Sequence, residues 1–249
     1  MKRWVVLVGL LAAPAVGTPT ADGVSAEVVV DATAADGSLG VTMRWHGLPN
    51  GRQQLHPLGG DAFRIDGLEV KVADEPVQAK RGKEGWGFQA PGSFEVSYRV
   101  RPGGDGRHGH QGAVASDWAV TDGRIFLVPR HGVDPATVQL DFVLPDDWVA
   151  AVPFAPVEGI PNRYLLEPDG ALSTDLQLQS ACFGLGRFER VATGPTTVWA
   201  YGGWPQAHKQ QLATGSTKMA DWFRTQNAFG GDYTVVWTPR FEGGRVFGG

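Results

Sequence analysis

The sequence predicts a mainly β protein, in which an antiparallel sandwich or saddle-like body is followed by a short, incomplete αβ segment. Apolar and polar residues alternate in many short runs, which is the pattern of strands with one buried face. Turn-forming residues separate these runs. With 35 Gly, 17 Pro and 42% hydrophobic residues among 249, the chain is rich in turns but has enough apolar residues to build a core.

The first residues have the order of a secretory leader. Met1, Lys2 and Arg3 form a basic start, and residues 4–13 are an apolar run, shorter than the roughly 20 residues that span a bilayer as a helix. Small and turn-forming residues follow this run. We therefore predict a signal peptide over residues 1–21, cleaved near Ala21. The mature protein is expected to be exported, periplasmic or extracellular, with no membrane span.

The body of the protein, residues 22–203, has the pattern of antiparallel strands. Three runs show the clearest alternation, at residues 39–45, 94–100 and 138–144. Each run places its apolar residues on one face and leaves the other face largely polar, as antiparallel sheets do. Further strands are predicted at residues 26–32, 63–72, 124–128, 163–167, 186–191 and 196–201.

The pattern changes after Gly203, where helical spacing replaces alternation. Pro205 is suited to the first turn of a helix, and a stripe of small and apolar residues follows at helical spacing, formed by Leu212, Ser216, Met219, Ala220 and Phe223. Gly215 within the stripe leaves open a helix of one piece or two. Residues 233–237 then form a short buried strand. We place a domain boundary at residues 202–203, so that 204–249 is the αβ segment.

Charge and cysteine content exclude several classes of protein. The 22 Lys and Arg against 26 Asp and Glu give a net charge of −4, the wrong sign for clamping a nucleic-acid backbone. No nucleic-acid partner is therefore predicted. The single cysteine, Cys182, excludes a disulfide framework and a Cys-rich zinc site. Its neighbours Ala181 and Phe183 favour burial as a small apolar side chain over pairing with another chain.

The chain lacks the motifs of the common catalytic centres. Neither Gly-x-Ser-x-Gly, His-Glu-x-x-His nor Walker spacing occurs, and Gly184-Leu185-Gly186 lacks the third glycine and the helix of a dinucleotide loop. His108 and His110 place two imidazoles on one face of an extended segment, a metal half-site. The glycines around them, with no carboxylate or cysteine at ligand spacing, favour a solvated loop. No catalytic or metal residue is therefore predicted.

Tryptophan is the one residue type that suggests a ligand. Eight of the nine tryptophans remain after removal of the leader, and exposed indoles would suit a sugar-binding platform. Trp45 and Trp237 lie in apolar strand patterns and are predicted to be core. Trp204, beside the glycines at 202–203, is the exposed candidate for substrate or sugar binding.

Several stretches, in order, resemble the non-catalytic N-terminal domain of the glycyl aminopeptidase family of gluzincin metallopeptidases. They are FEVSYRV at 94–100, GRIFLVPR at 123–130, PDDWVA at 145–150, GLGRFER at 184–190 and VWAYGG at 198–203. The helix and the strand at 233–237 resemble the opening of the family's thermolysin-like catalytic domain. The resemblance covers most of residues 26–249.

The resemblance implies an incomplete enzyme. In the family, a glycine-rich edge strand and then a zinc helix with His-Glu-x-x-His follow, and here the residues up to Gly249 reach the start of that edge strand. Zinc hydrolysis needs three protein ligands and a general base, and none of the family's has a counterpart here. We expect no activity and no zinc in this chain alone, whereas a complete relative would be a zinc metallo-aminopeptidase. Whether Gly249 is the natural C-terminus stays open.

A binding module is the alternative function. An exported β-sandwich with loop aromatics, Trp204 among them, would bind polysaccharide or peptide without catalysis. The oligomeric state is open under both interpretations. An apolar helix stripe that nothing covers would favour association.

Overall fold

The protein is described by a computed structural model over residues 6–8, 20–34, 37–57, 64–101, 112–130, 134–168, 174, 177, 178, 181–227 and 233–239. Strands dominate, and several antiparallel sheets are present, which confirms the predicted fold class. The strands are β1 (Val6–Val8), β2 (Thr20–Asp31), β3 (Leu39–His46), β4 (Asn50–Pro57), β5 (Arg64–Val72), β6 (Glu75–Val77), β7 (Lys80–Gly82), β8 (Gly85–Pro91), β9 (Phe94–Arg101), β10 (Ala113–Val114), β11 (Trp118–Asp122), β12 (Leu127–Pro129), β13 (Asp134–Val143), β14 (Val149–Ala151), β15 (Arg163–Leu166), β16 (Cys182–Gly186), β17 (Phe188–Ala192), β18 (Thr196–Tyr201) and β19 (Tyr233–Trp237). A long helix, α1 (Gln206–Asn227), lies between β18 and β19.

The largest sheet has seven strands in the order β15-β13-β2-β3-β9-β5-β6. β3 pairs antiparallel with β9, and buried residues alternate along both strands, as the sequence predicts. β13 pairs with β2 in parallel, so the sheet is mixed. A parallel pair needs a long crossover, and here about a hundred residues, from 32 to 133, lie between the two strands.

Two four-stranded sheets pack against the seven-stranded sheet. One has the order β12-β4-β8-β7 and the other β10-β11-β16-β14. Leu55 and Phe88 of the first, with Phe183 and Leu185 of the second, share one hydrophobic core with the apolar face of the largest sheet. These three sheets form a sandwich-like unit, which we call the β body.

The predicted strand at residues 124–128 is wrong in its first half. Gly123–Ile125 is a short 3-10 turn, and β12 begins after it. The buried hydroxyl of Tyr98 donates to the carbonyl oxygen of Ile125 at 3.0 Å and accepts from the amide of Leu127 at 3.1 Å. Burial raises the pKa of Tyr98, so this hydroxyl stays neutral. It therefore provides hydrogen-bond partners for the backbone groups of Ile125 and Leu127, as a neighbouring strand would elsewhere.

A fourth sheet includes β19, the strand of the predicted αβ segment. Its order is β1-β19-β18-β17, and β18 and β19 run parallel, connected by α1. We call β18, α1 and β19 the αβ unit. Because β17 and β18 precede Gly203, this sheet extends across the predicted boundary at residues 202–203, and the boundary itself stays a prediction.

Helix α1 is one piece. Gly215 lies on its exposed side, and a Cβ placed there would meet nothing within 4 Å, so the glycine lowers helix stability by about 1 kcal/mol without breaking the helix. The buried face differs from the predicted stripe. Its fully buried members are Lys209, Ala213, Ser216 and Ala220, whereas Leu212, Met219 and Phe223 are only half-buried. No helix among the described residues is both long and apolar enough to cross a membrane.

Candidate functional site

The αβ unit meets the β body at a tight contact between β19 and β16. Val236 packs in a buried cluster with side chains from β11, β14 and β16, including Trp118, Ala151 and Cys182. A Cβ placed on Gly184 would lie only 2.6 Å from Cγ1 of Val236, closer than real Cβ contacts. Glycine at position 184 is therefore what lets β19 approach the β body.

The second glycine of the Gly184-Leu185-Gly186 stretch serves a similar purpose. Gly186 has φ of +152°, and a Cβ there would lie 2.7 Å from the Cα of Trp118. Both glycines thus lie in β16, where they allow close packing. No dinucleotide-binding turn forms here, as the missing third glycine indicates.

An ion pair between a buried lysine and a half-exposed glutamate joins the first turns of α1 to β17. The ammonium of Lys209 lies 2.5 Å from Oε2 of Glu189 and 3.4 Å from the carbonyl oxygen of Gly202. The Lys209 side chain is 6% exposed and that of Glu189 is 53% exposed. A charge that is removed from water needs such partners, so the carboxylate of Glu189 is what makes the buried position of Lys209 tolerable.

The link from β18 into α1 is also bound to the β body. The hydroxyl of Tyr201 donates to Asp117, and this hydrogen bond, with burial, raises the pKa of Tyr201. The amide of Gly202 donates to the carbonyl oxygen of Arg187 at 2.6 Å. The guanidinium of Arg187 in turn pairs with Asp147 at 2.5 Å. The β18–α1 link is therefore held at two points, Tyr201 and Gly202.

Hydrogen bonds inside the αβ unit join α1 to its sheet. The indole nitrogen of Trp237 donates to the hydroxyl of Ser216 at 2.8 Å, and that hydroxyl donates to the carbonyl oxygen of Leu212 at 2.8 Å. This explains a serine within the buried face. Near the other end of α1, the guanidinium of Arg224 lies 4.9 Å from the ring centre of Tyr233. The αβ unit is thus held internally by polar contacts as well as by packing.

Trp204 lies in the link between β18 and α1, where the αβ unit meets the β body. We call this region of contact the junction. It is half-buried and makes edge-to-face contacts with Tyr201 at 6.0 Å and with His208 at 5.1 Å between ring centres. A role for Trp204 in substrate binding stays a prediction. Among the tryptophans that the structure describes, the exposed one is Trp222, on the outer side of α1, with 56% of its surface accessible. Sequence spacing could have placed Trp222 opposite Ser216, Ala220 and the buried face.

No metal-binding arrangement occurs within the part of the chain that the structure describes: it contains no group of three or more His, Cys, Asp or Glu side chains that could hold a metal ion. His108 and His110, the candidate half-site, lie outside the described residues. The junction between the αβ unit and the β body, as far as the structure describes it, consists of contacts that position the αβ unit on the β body. The sequence did not predict it, because its partners lie far apart along the chain.

Cys182 is buried in the cluster beneath β19, as predicted. Burial, with the nearby Asp122 carboxylate, raises the pKa of its thiol to about 12. The thiol is therefore neutral in the folded protein, and its contribution to stability is present below about pH 9 and is lost as pH rises toward 12.

We expect Cys182 to resist iodoacetamide at about pH 8 in the folded protein, because the thiolate is the reactive form and the sulfur is covered. In urea the same cysteine should react fully. Intact mass measured over time gives both rates. Labelling of the folded protein at the rate seen in urea would contradict the burial of this thiol.

Comparison with known proteins supports the fold. No protein-family model matches the chain, and no curated protein does. Among solved structures, the chain is similar to an aminopeptidase N family protein from Idiomarina loihiensis, with a TM-score of 0.60, 13% identity, and coverage of 80% of this chain and 36% of that chain. It also matches yeast LTA4 hydrolase, native and in complex with bestatin, with TM-scores of 0.42 and 0.43 and identities of 12% and 11%. Each of these covers 82% of this chain and 35% of the other.

Of these three TM-scores, only the first is high enough to indicate a shared fold, and at 13% identity it shows the fold alone. It confirms the fold that the gluzincin resemblance implies. The chain spans about a third of the length of these solved structures. The fold therefore defines a class of protein in which a mainly β body is followed by an αβ unit.

Proposed function

We propose that this chain is the exported, N-terminal, non-catalytic portion of a zinc metallopeptidase that resembles the gluzincin aminopeptidases. Its β body would hold the first helix and strand of the catalytic part in a fixed position. The main support for the proposal is the close packing of Val236 of β19 against Gly184 of the β body. The likeness to 36% of an aminopeptidase N family protein supports it.

The outer edge of β19 adds a second argument. In the full chain β1 pairs antiparallel with that edge, Val6 opposite Val236 and Val8 opposite Thr234. Residues 1–21 are the leader in this proposal, so processing would remove β1 and leave the edge groups of β19 without partners. An unpaired strand edge is a ready template for another strand. A strand from the rest of a catalytic domain would restore the pairing.

The chemistry would then lie outside the described residues. In a complete enzyme of this class, zinc supplies a water molecule activated for attack on the peptide carbonyl. The described residues contain no group of side chains that could bind zinc. Their contribution would be to position the αβ unit, through the Lys209–Glu189 pair and the close packing of Val236 on Gly184. The exposed side of α1 around Trp222 would face the remaining catalytic part.

The direct test uses the native protein. Antibodies against this chain are expected to recover, from the exported fraction of the source cells, a polypeptide larger than 26.6 kDa. It should hydrolyse aminoacyl reporter substrates, lose activity to a chelator and regain it with zinc. N-terminal sequencing of the recovered protein should begin close to Asp22.

The matched control is the 249-residue chain alone, which should neither bind zinc stoichiometrically nor hydrolyse the same reporters. Zinc-dependent turnover by that chain would overturn the proposal. Recovery of a native polypeptide of only this size, without hydrolase activity, would do the same and would leave the binding-module alternative.

A further inference from the structure

We propose that the outer face of the sheet β12-β4-β8-β7 binds an acidic oligosaccharide. A groove of about 570 Å³ opens there, lined by polar side chains, by glycine backbone and by the apolar residues Val77 and Phe88. Its polar and charged side chains come from Arg52, Gln54, Gln78, Lys80 and Gln89, and Gly87 leaves a gap between them. The site lies in the β body and does not depend on the peptidase proposal.

Strand register brings the cationic residues together around a gap in the sheet face. Gln54, Gly87 and Lys80 lie opposite one another across β4, β8 and β7. Arg52, two residues before Gln54, therefore lies on the same face. Gly87 has no side chain, and the Nη2 atom of Arg52 lies 3.7 Å from where its Cβ would be. The guanidinium of Arg52 thus overhangs the floor of the groove, with Lys80 on the neighbouring strand.

The charge of the groove selects an anion. Its lining includes two cations and no carboxylate, although the whole chain has a net charge of −4. Arg52 and Lys80 are exposed and form no ion pair with any residue that the structure describes. Two unpaired cations beside an empty floor are complementary to the carboxylate of a bound ligand.

The remaining lining favours a sugar over a peptide. Gln54, Gln78 and Gln89 each offer an amide donor and an amide acceptor, which suits hydroxyl groups that both donate and accept. On the floor of the groove the backbone groups of β4 and β8 already pair with each other, so a ligand there is bound through side chains. Strand β7, the edge strand of this sheet, contributes Lys80 to the lining. An oligosaccharide that carries uronic acids meets both requirements.

Titration by isothermal calorimetry tests the proposal with three probes: a short oligogalacturonate, a neutral oligosaccharide of equal length and an oligoglutamate. We expect oligogalacturonate to bind, with affinity that falls as salt is added, and the other two to bind at least about tenfold more weakly. Equal binding of oligoglutamate would show an unspecific anion patch and overturn the proposal. Absence of binding by oligogalacturonate would overturn it as well.

Variants place the binding in the groove. Lys80→Gln and Arg52→Gln should each weaken oligogalacturonate binding about tenfold. The matched control is Arg81→Gln, since Arg81 is the next residue of β7 and its guanidinium lies 5.4 Å from the ring centre of Trp86. The control removes the same charge and should leave the affinity unchanged. Equal losses in Lys80→Gln and Arg81→Gln would mean that net charge, not this site, governs binding.

A second variant separates loss of binding from loss of folding. A Cβ on Gly87 would meet its nearest atoms at 3.7–3.9 Å, an ordinary contact, so Gly87→Asp should fold. It would place a carboxylate on the floor of the groove and should abolish binding of the acidic probe. Unchanged binding by a folded Gly87→Asp variant would exclude the groove as the site.

Discussion

Gly184→Val is expected to lower the free energy of unfolding by about 3 kcal/mol and to detach β19 from the β body. The new Cβ would lie 2.6 Å from Cγ1 of Val236 and 3.4 Å from Cβ of Ala151. Val236 and Ala151 are fully buried and their backbones are held by strand pairing, so Val236 can relieve the clash only by rotating its side chain within a packed cluster. Urea unfolding followed by tryptophan fluorescence gives the energy, and hydrogen exchange of the β19 amides reports the detachment.

Two further variants control this result. Val236→Ala in the Gly184→Val background removes the clashing methyl groups, so the double variant should be more stable than the sum of the single effects predicts. Gly215→Ala changes a glycine on the open side of α1 and should stabilise the protein by about 0.5–1 kcal/mol. A Gly184→Val protein that unfolds at the same urea concentration as its parent would show that β19 does not pack closely against Gly184.

The alternation of apolar residues predicted the central strands well because burial on one face is a local property. β3 and β9 each bury alternate residues, and no information about their partners is needed to see it. The parallel pairing of β13 with β2 could not be predicted in this way. It joins segments about a hundred residues apart, and either partner would show the same pattern in an antiparallel sheet.

The features that the sequence did not predict depend on contacts between residues that are far apart along the chain. Lys209 lies in a polar run, QAHKQQ at 206–211, which is typical of a solvated face, yet its side chain is buried with Glu189 of β17 as its partner. Strand β4 was not predicted, since Pro49, Asn50 and Gly51 indicate a turn and the run that follows is polar. Its outward-facing residues Arg52 and Gln54 are polar and line the open groove. In both cases the three-dimensional neighbour, not the local sequence, decides the outcome.

Glu189→Gln is expected to destabilise the protein, whereas Lys209→Met is expected not to. Loss of the carboxylate leaves the ammonium of Lys209 buried without its counter-charge, which should lower the free energy of unfolding by about 1–3 kcal/mol, less than for a fully buried pair because Glu189 is half exposed. Lys209→Met removes the charge that needs a partner and keeps a side chain of similar length. It should be neutral or stabilising. Thermal and urea unfolding of both variants give the comparison.

The pair between Arg187 and Asp147 provides the matched control. Its N–O distance is also 2.5 Å, but both side chains are more than half exposed, so Asp147→Asn should change stability by no more than about 0.5 kcal/mol. If burial is what makes the Lys209–Glu189 contact sensitive, the double variant Lys209→Met with Glu189→Gln should recover the stability lost in Glu189→Gln. A double variant as unstable as Glu189→Gln would show that Glu189 stabilises the junction through some contact other than Lys209. The Lys209–Glu189 ion pair would then not be what holds α1 to β17.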